Sequence, residues 1–484
     1  MKKSISIILA LIMMVMSALP VFAATEHNPD TCDDAPVVIV RGMDFMGLYI
    51  DEGTENERPA VTVDAGKIVG TVFHAIFAGI FNLNFDPVVD EVIGFANDLL
   101  GNLEMTGAGE SLYNISPRKY PKSVANYPEV VGGTGGEMGM ITACAEEFGA
   151  DHTYYFTYDW RRDPFDIADE INEMIETACE ETGHDKVKLV CASMGGIMTV
   201  AYLTEYGYDR VERVLFMSST FCGVQMPSDM LQGKIDFDAD AISNIAGYAM
   251  KDNAALNVLY KVLDFTGAFK LAESISAKIV ENYLDEVNDR VLMRILAYMP
   301  VMWALVQPED FEACIDYVFG DCMEENAAFI ARVTKLQEMV NGRNDLIYEM
   351  MENGVDVAVA SHYGAPLIPV YEGASKLSGD MVLEAKQTSG YATVAPYGET
   401  LGDDYVAENP ALLSPDRMVD LSTAILPEYT YMIKQAPHVA CGYGTDYGEF
   451  FMWLLTEEGS LAAGSNPDYP QFMISGNDES LSKF

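Results

Sequence analysis

Apolar and polar positions along this chain follow two rhythms, and their order predicts how it is organised. A short β-branched run, Ala35-Pro-Val-Val-Ile-Val40, reads as a buried strand opening into the loop Arg41-Gly42-Met43-Asp44. A helical pattern over 137–148 leads to a second strand, His152-Thr-Tyr-Tyr-Phe-Thr-Tyr158. After Asp159-Trp160-Arg161-Arg162-Asp163-Pro164 come a helix over 167–179, a strand around Leu189 and Val190, a helix from Ile197, and a fourth strand over 211–217. The rhythm resumes with strands at 355–361 and 429–434 and a final helix over 447–456. Strands alternating with helices at this spacing predict a mostly parallel sheet covered on both faces, an α/β fold.

Between 222 and 354 the alternation stops. The pattern there is helical throughout, over 241–251, 255–269, 274–283, 289–305, 308–319, 327–340 and 345–352, with no convincing strand. One α/β domain, in two parts at 24–222 and 355–484, with a helical cap or lid inserted over 223–354, fits this order better than two consecutive domains. Within the first part, an apolar insertion is expected near 66–100. Residues 67–83 are apolar on nearly every helical face, with Phe73, Phe77 and Phe81 in one stripe, so this helix must be sandwiched in protein or lie under a cover. Residues 101–138, rich in Gly, Pro and Ser, are expected to be loop.

The ends and the charge narrow the setting. Met1-Lys2-Lys3, an apolar middle and Val21-Phe-Ala-Ala24 read as a secretory signal over 1–23, cut after Ala23, which makes the chain an exported protein. Removing that segment takes away two lysines and no acid, so an already acidic chain of formal charge −45 becomes slightly more so. Such a surface repels nucleic acid and anionic head groups. The run from Val291 to Val306 is too short to span a bilayer, so the mature chain is expected to lack an integral membrane span. Export permits disulfides among the eight cysteines, and Cys314 with Cys322 could close a short loop. Cys191 reads as a buried free thiol. No His/Cys spacing suggests a metal, and no cofactor is implied.

The candidate chemistry centres on Lys188-Leu-Val-Cys-Ala-Ser-Met-Gly-Gly-Ile197. A strand turning sharply into a helix leaves the residue at the turn exposed and strained. It needs small residues two before and two after it, here Cys191 and Gly195 around Ser193. Such a serine requires a base and an acid to orient that base. In chain order the acid precedes the histidine, and only His362 and His438 follow Ser193. His438, in the loop after the last predicted strand, is favoured over His362. Asp380, in the Ser378-Gly379-Asp380 turn, is the favoured acid, with Asp403, Asp404 and Glu372 as competitors. The N–H groups of Met194 and Met43 are the candidate oxyanion donors, with Asp44 the next choice after Met43.

On these residues the chain resembles an α/β-hydrolase of the lipase/esterase kind, with closer similarity to the lecithin–cholesterol acyltransferase and lysosomal phospholipase group. The features are Tyr158-Asp-Trp-Arg161, the Ser193 elbow, Tyr363-Gly364-Ala-Pro366, the Gly379-Asp380 turn and His438, in order over 36–222 and 355–456. Two departures stand out: Cys191 replaces the usual glycine, and Asp380-Met-Val-Leu lacks the usual Asp-Gly-Thr-Val form. The resemblance implies an α/β-hydrolase fold and an exported serine hydrolase acting on acyl esters, with a small-molecule or lipid ester as substrate and transient contact with a lipid interface. It also implies that Asp159, Trp160 and Arg161 wall the site; Asp44 and Trp160 are the candidates for substrate contact, and Trp160 reads equally as an ordinary packed aromatic. Asp159 beside Arg161 also reads as a simple solvated pair. Rival readings are an acyltransferase passing the acyl group to an alcohol, a peptidase, and an inactive hydrolase fold used for binding.

Overall fold

The computed structural model describes residues 34–62, 86–234, 239–250, 261, 290–291, 293–368 and 373–484. The expected signal over 1–23, the apolar helix over 67–83 and the insertion helices over 255–269 and 274–283 lie outside them, apart from residue 261. Eight strands form the central sheet: β1 (Val37–Val40), β2 (Thr153–Phe156), β3 (Val187–Ala192), β4 (Val211–Met217), β5 (Asp356–Tyr363), β6 (Thr430–Lys434), β7 (Phe472–Ser475) and β8 (Leu481–Lys483). Their spatial order is β8-β7-β6-β5-β4-β3-β1-β2. Every neighbouring pair is parallel except β7 with β8 at one edge.

Side chains on successive strand residues point to opposite faces, so strands buried on both sides must be apolar throughout. That is the composition of β1, and of β3 and β4 apart from Lys188, Glu212 and Arg213 near their starts. On one face Val38, Val40, Leu189, Cys191, Val214 and Phe216 meet helices α2 (Pro164–Thr182), α3 (Gly195–Tyr206) and α4 (Ala327–Glu352). On the other, Val37, Ile39, Val190, Leu215 and Met217 meet α1 (Gly136–Glu147) and α5 (Asp446–Thr456). The chain leaves β1 for α1 on one face and leaves β3 for α3 on the other. Two adjacent parallel strands whose connections diverge in this way open a crevice at their carboxyl ends, where α/β proteins place their sites.

Local chemistry sets the helix ends. Asp163 caps α2 by accepting the Phe165 N–H at 2.9 Å, Pro164 occupies the first turn where no N–H is needed, and Gly183 closes the helix at φ +76°.

Several elements differ from those the pattern predicts. The run over 289–305 is not one helix: Met293–Leu296 and Pro300–Leu305 are separate, because the residue before a proline is pushed out of helical conformation and Met299 is extended. The helix expected from 308 begins at Phe311. Conversely, the predicted helices at 327–340 and 345–352 are one, α4, continuous through Asn341-Gly342-Arg343-Asn344. Tertiary contacts outweigh weak helix propensity there, since buried Arg343 donates to the Tyr391 hydroxyl at 2.7 Å and to the Val340 carbonyl. Within the expected loop over 101–138, Ile115–Pro117 pairs with Leu48–Ile50, which also pairs with Arg58–Pro59. Strands β7 and β8 were not predicted. Cys314 and Cys322 are free thiols, the former directed at the Ser228 carbonyl.

The described helices of the insertion do not enclose a core of their own. Trp303 stacks on Phe319 with ring centroids 5.5 Å apart and joins the apolar cluster that covers the α2–α3–α4 face of the sheet. Among the described residues no helix is long and apolar enough to cross a membrane.

Asp159 and Arg161 are not a solvated pair. Arg161 is 0 % exposed and grips Asp159 through Nε at 2.9 Å and Nη2 at 2.6 Å. Its remaining donors reach the Leu103 carbonyl and the Ser111 hydroxyl, tying the 101–111 segment to the core. Asp159→Ala leaves that cation buried without its counter-charge. It is expected to cost about 3–5 kcal/mol in urea unfolding, whereas a loss under about 1 kcal/mol, as for an exposed pair, would contradict this account.

Candidate functional site

The junction of β3 and α3 shapes the site. Gly195 lies so near β1 that a Cβ on it would sit 2.3 Å from the Val40 carbonyl oxygen and 2.8 Å from that of Arg41, so only glycine fits. The tight turn puts Ser193 at φ +49°, a conformation that side-chain-bearing residues rarely adopt. Three backbone bonds hold it there. The Ser193 N–H donates to the Met217 carbonyl, and its own carbonyl accepts from Gly196 and Thr220. The Ser193 side chain is partly exposed at the carboxyl end of the sheet.

Cys191, two residues earlier, fills its place without disturbing the turn. Its side chain is buried on the α3 face, with Sγ 3.2 Å from the Thr199 hydroxyl. Burial pushes the thiol up to about 12, so it stays protonated and inert at neutral pH.

Parallel strands deliver the partners to the same edge. His438 follows β6, with Nε2 2.9 Å from Ser193 Oγ and Nδ1 2.7 Å from Asp380 Oδ2. Asp380 lies in a turn after β5 whose first limb, Ser378–Gly379, pairs antiparallel with Ala365–Pro366. Its Oδ1 accepts the N–H groups of Val382 at 2.9 Å and Leu383 at 2.7 Å, which leaves Oδ2 for the imidazole. Burial alone pushes this carboxyl up, but the charge and hydrogen bond of His438, with His362 and the Leu383 N–H, bring it below the usual carboxylate range. Of its competitors, Asp403 and Asp404 are exposed, and Glu372 lies outside the described residues.

Met194 occupies the N-cap position of α3, and the loop carrying Met43 ends β1. Neither backbone N–H has a hydrogen-bond partner among the described residues. The two loops are in contact: a Cβ on Gly42 would lie 2.7 Å from Ser193 Cβ and 3.3 Å from its Oγ. Asp44 turns back to Arg41 at 2.6 Å and accepts the Met46 N–H. Trp160, 4 % exposed, packs against Phe45 of the same loop, with ring centroids 6.3 Å apart. Arg161 and Asp159 face the 101–111 segment instead.

Ser193, His438 and Asp380 thus form one hydrogen-bonded line. Such a line can take the hydroxyl proton onto the imidazole and hold the imidazolium against the carboxylate, with Met194 and Met43 as nearby donors for a developing negative charge.

His362, the other histidine after Ser193, sits behind this line rather than in it. It is 1 % exposed at the end of β5, with Nδ1 3.1 Å from the Ser218 hydroxyl and Nε2 2.6 Å from the Tyr447 hydroxyl. Burial drives its imidazole down from 6.5 to about 4, aided by His438 and opposed by Asp380 and a hydrogen bond with the Pro437 backbone. Sequence spacing gave no sign of this contact.

The folded-state value lies below the unfolded one, so between them the unfolded chain binds the proton first. Stability therefore falls as pH drops from 6.5 to about 4. The loss attributable to His362 is expected to reach roughly 3 kcal/mol. His362→Asn removes it, so urea unfolding should show the unsubstituted chain losing more stability than the variant between pH 7 and pH 4. Parallel pH curves for the two proteins would contradict the assignment.

Comparison with family models, with curated proteins and with solved structures finds no match for this chain, so the reading of the site rests on its own geometry.

Proposed function

We propose that this chain is an exported serine hydrolase with an α/β-hydrolase fold that cleaves acyl esters through an acyl-enzyme. The observation that carries the reading is the line Asp380–His438–Ser193, with bonds of 2.7 and 2.9 Å, ending on a serine at φ +49° between a strand and a helix. In this scheme Ser193 Oγ attacks the ester carbonyl while His438 Nε2 takes its proton. The proton passes to the departing alkoxide, and the C–O bond to the alcohol breaks. Water, deprotonated by the same imidazole, then attacks the acyl carbon; the C–O bond to Ser193 breaks, the imidazolium returns the proton to Ser193 Oγ, and the acid leaves. Asp380 holds the imidazole in the tautomer that accepts at Nε2. The N–H groups of Met43 and Met194 stabilise both tetrahedral oxyanions.

The loop beside the serine favours an apolar acyl group. Met43 is 45 % and Met46 48 % exposed, and Phe45 lies between them in sequence. Methionine adapts its shape to flexible chains, so this rim suits an acyl tail or brief contact with a lipid interface. The acidic charge of −45 argues for a neutral rather than polyanionic substrate.

Nitrophenyl esters of two to sixteen carbons test this directly. Serine-dependent hydrolysis is expected, with Ser193→Ala reducing kcat by at least about 10⁴-fold while its circular dichroism and melting temperature match the unsubstituted chain. Turnover that survives in Ser193→Ala would remove the serine from the mechanism. An inert but folded unsubstituted chain would contradict ester hydrolysis.

A further inference from the structure

A carboxylate stands behind the loop that would supply the second oxyanion donor. Glu137 lies in the first turn of α1, on the opposite face of the sheet from α3. Its Oε1 accepts the Gly42 N–H at 2.5 Å, across 95 residues of sequence. A Cβ on Gly42 would lie 3.0 Å from that oxygen and 3.3 Å from Ser193 Oγ, so the carboxylate and the serine flank one and the same peptide. Oε2 accepts the Tyr155 hydroxyl at 3.2 Å.

A bare anion so close to a developing oxyanion would oppose the reaction. Here it is matched by Arg41, whose Nε lies 3.9 Å from Oε2 and whose Nη2 pairs with Asp44 at 2.6 Å. Burial pulls that guanidinium down, but Tyr155, Glu137 and Asp44 raise it above its ordinary value, so it stays charged. The Arg41 carbonyl in turn accepts the Tyr158 hydroxyl at 2.9 Å. Both polar groups of the Arg41–Gly42 peptide are therefore held, its N–H by Glu137 and its carbonyl by Tyr158.

Resting on the ester-hydrolase reading, we infer that Glu137 is a positioning residue for the oxyanion loop: by accepting the Gly42 N–H it fixes that peptide and leaves the Met43 N–H free for the tetrahedral intermediate. An ionised acceptor makes a stronger bond to an N–H than a neutral one and needs no neighbouring strand to supply it. A loop residue fixed before substrate arrives spends no binding energy on ordering itself in the transition state.

Two substitutions of similar volume separate this role from packing. Glu137→Gln keeps an oxygen for the Gly42 N–H, while Glu137→Met does not. With a nitrophenyl ester, Glu137→Met is expected to lower kcat roughly 100-fold with KM within about threefold, and to weaken inhibition by an alkyl boronic acid, which forms a tetrahedral anion on the serine, by a similar factor. Glu137→Gln should restore kcat to within about fivefold. Hydrogen exchange of the peptide covering residues 40–45, read by mass spectrometry, should speed up in Glu137→Met and not in Glu137→Gln. If the two variants match each other in kcat, boronate inhibition and exchange while the unsubstituted chain hydrolyses the ester, Glu137 has no positioning role and the serine reading stands. If the unsubstituted chain is inert, the serine reading falls, and the exchange comparison, which needs no turnover, still decides whether Glu137 holds the loop.

Discussion

The close approach of α3 to the end of β1 is the constraint on which the site depends. Gly195 admits the Val40 and Arg41 carbonyls where any side chain would collide, and the turn this permits forces Ser193 to a positive φ. Strain of this kind persists only where the surroundings over-determine it. Bonds from Met217, Gly196 and Thr220 do so here, and they come from β4, α3 and the loop after β4. The serine is presented because the sheet is parallel and both faces are covered, so that the connections after β1 and β3 part in opposite directions.

Behind the serine lies a buried polar layer that the apolar core alone could not position. Asp380 is held by two backbone N–H groups and by His438, while His362 bridges Ser218 of the β4 loop and Tyr447 of α5. Polar groups in such a place are costly unless each has a partner, and once partnered they fix a single arrangement. The same logic appears at the edge of the insertion. There Gln307, Arg343 and Tyr391 meet around the Cys222 carbonyl, joining α4 to the loops that follow β4 and β5.

Much of this was legible in the chain. Six of the eight strands follow from apolar runs at regular spacing, and Ser193, Asp380 and His438, chosen by chain order and turn chemistry, meet in space. The omissions have physical causes. Strand β8 is short, polar and at the edge, and β7 offers only the brief apolar run Phe472-Met-Ile474 after the turn-rich 462–469 stretch. Pro300 signals a break that the apolar run around it obscures, and the Asn341–Asn344 stretch stays helical because Arg343 finds distant partners. Cys191 breaks the expected small-glycine rule yet fits, since its thiol points into the α3 interface. Glu137 and His362 act through contacts 95 and 85 residues away, and no local period reveals those. Arg161 beside Asp159 resembles an exposed pair until the 101–111 segment closes over it.

The nucleophile proposed is Ser193, activated by His438. Covalent trapping tests it: incubate the protein with a long-chain fluorophosphonate and locate the adduct by peptide mass spectrometry. One adduct per molecule is expected, on Ser193, and none in the same time on folded His438→Ala. A folded chain that takes no label, or takes it on another residue, would contradict it.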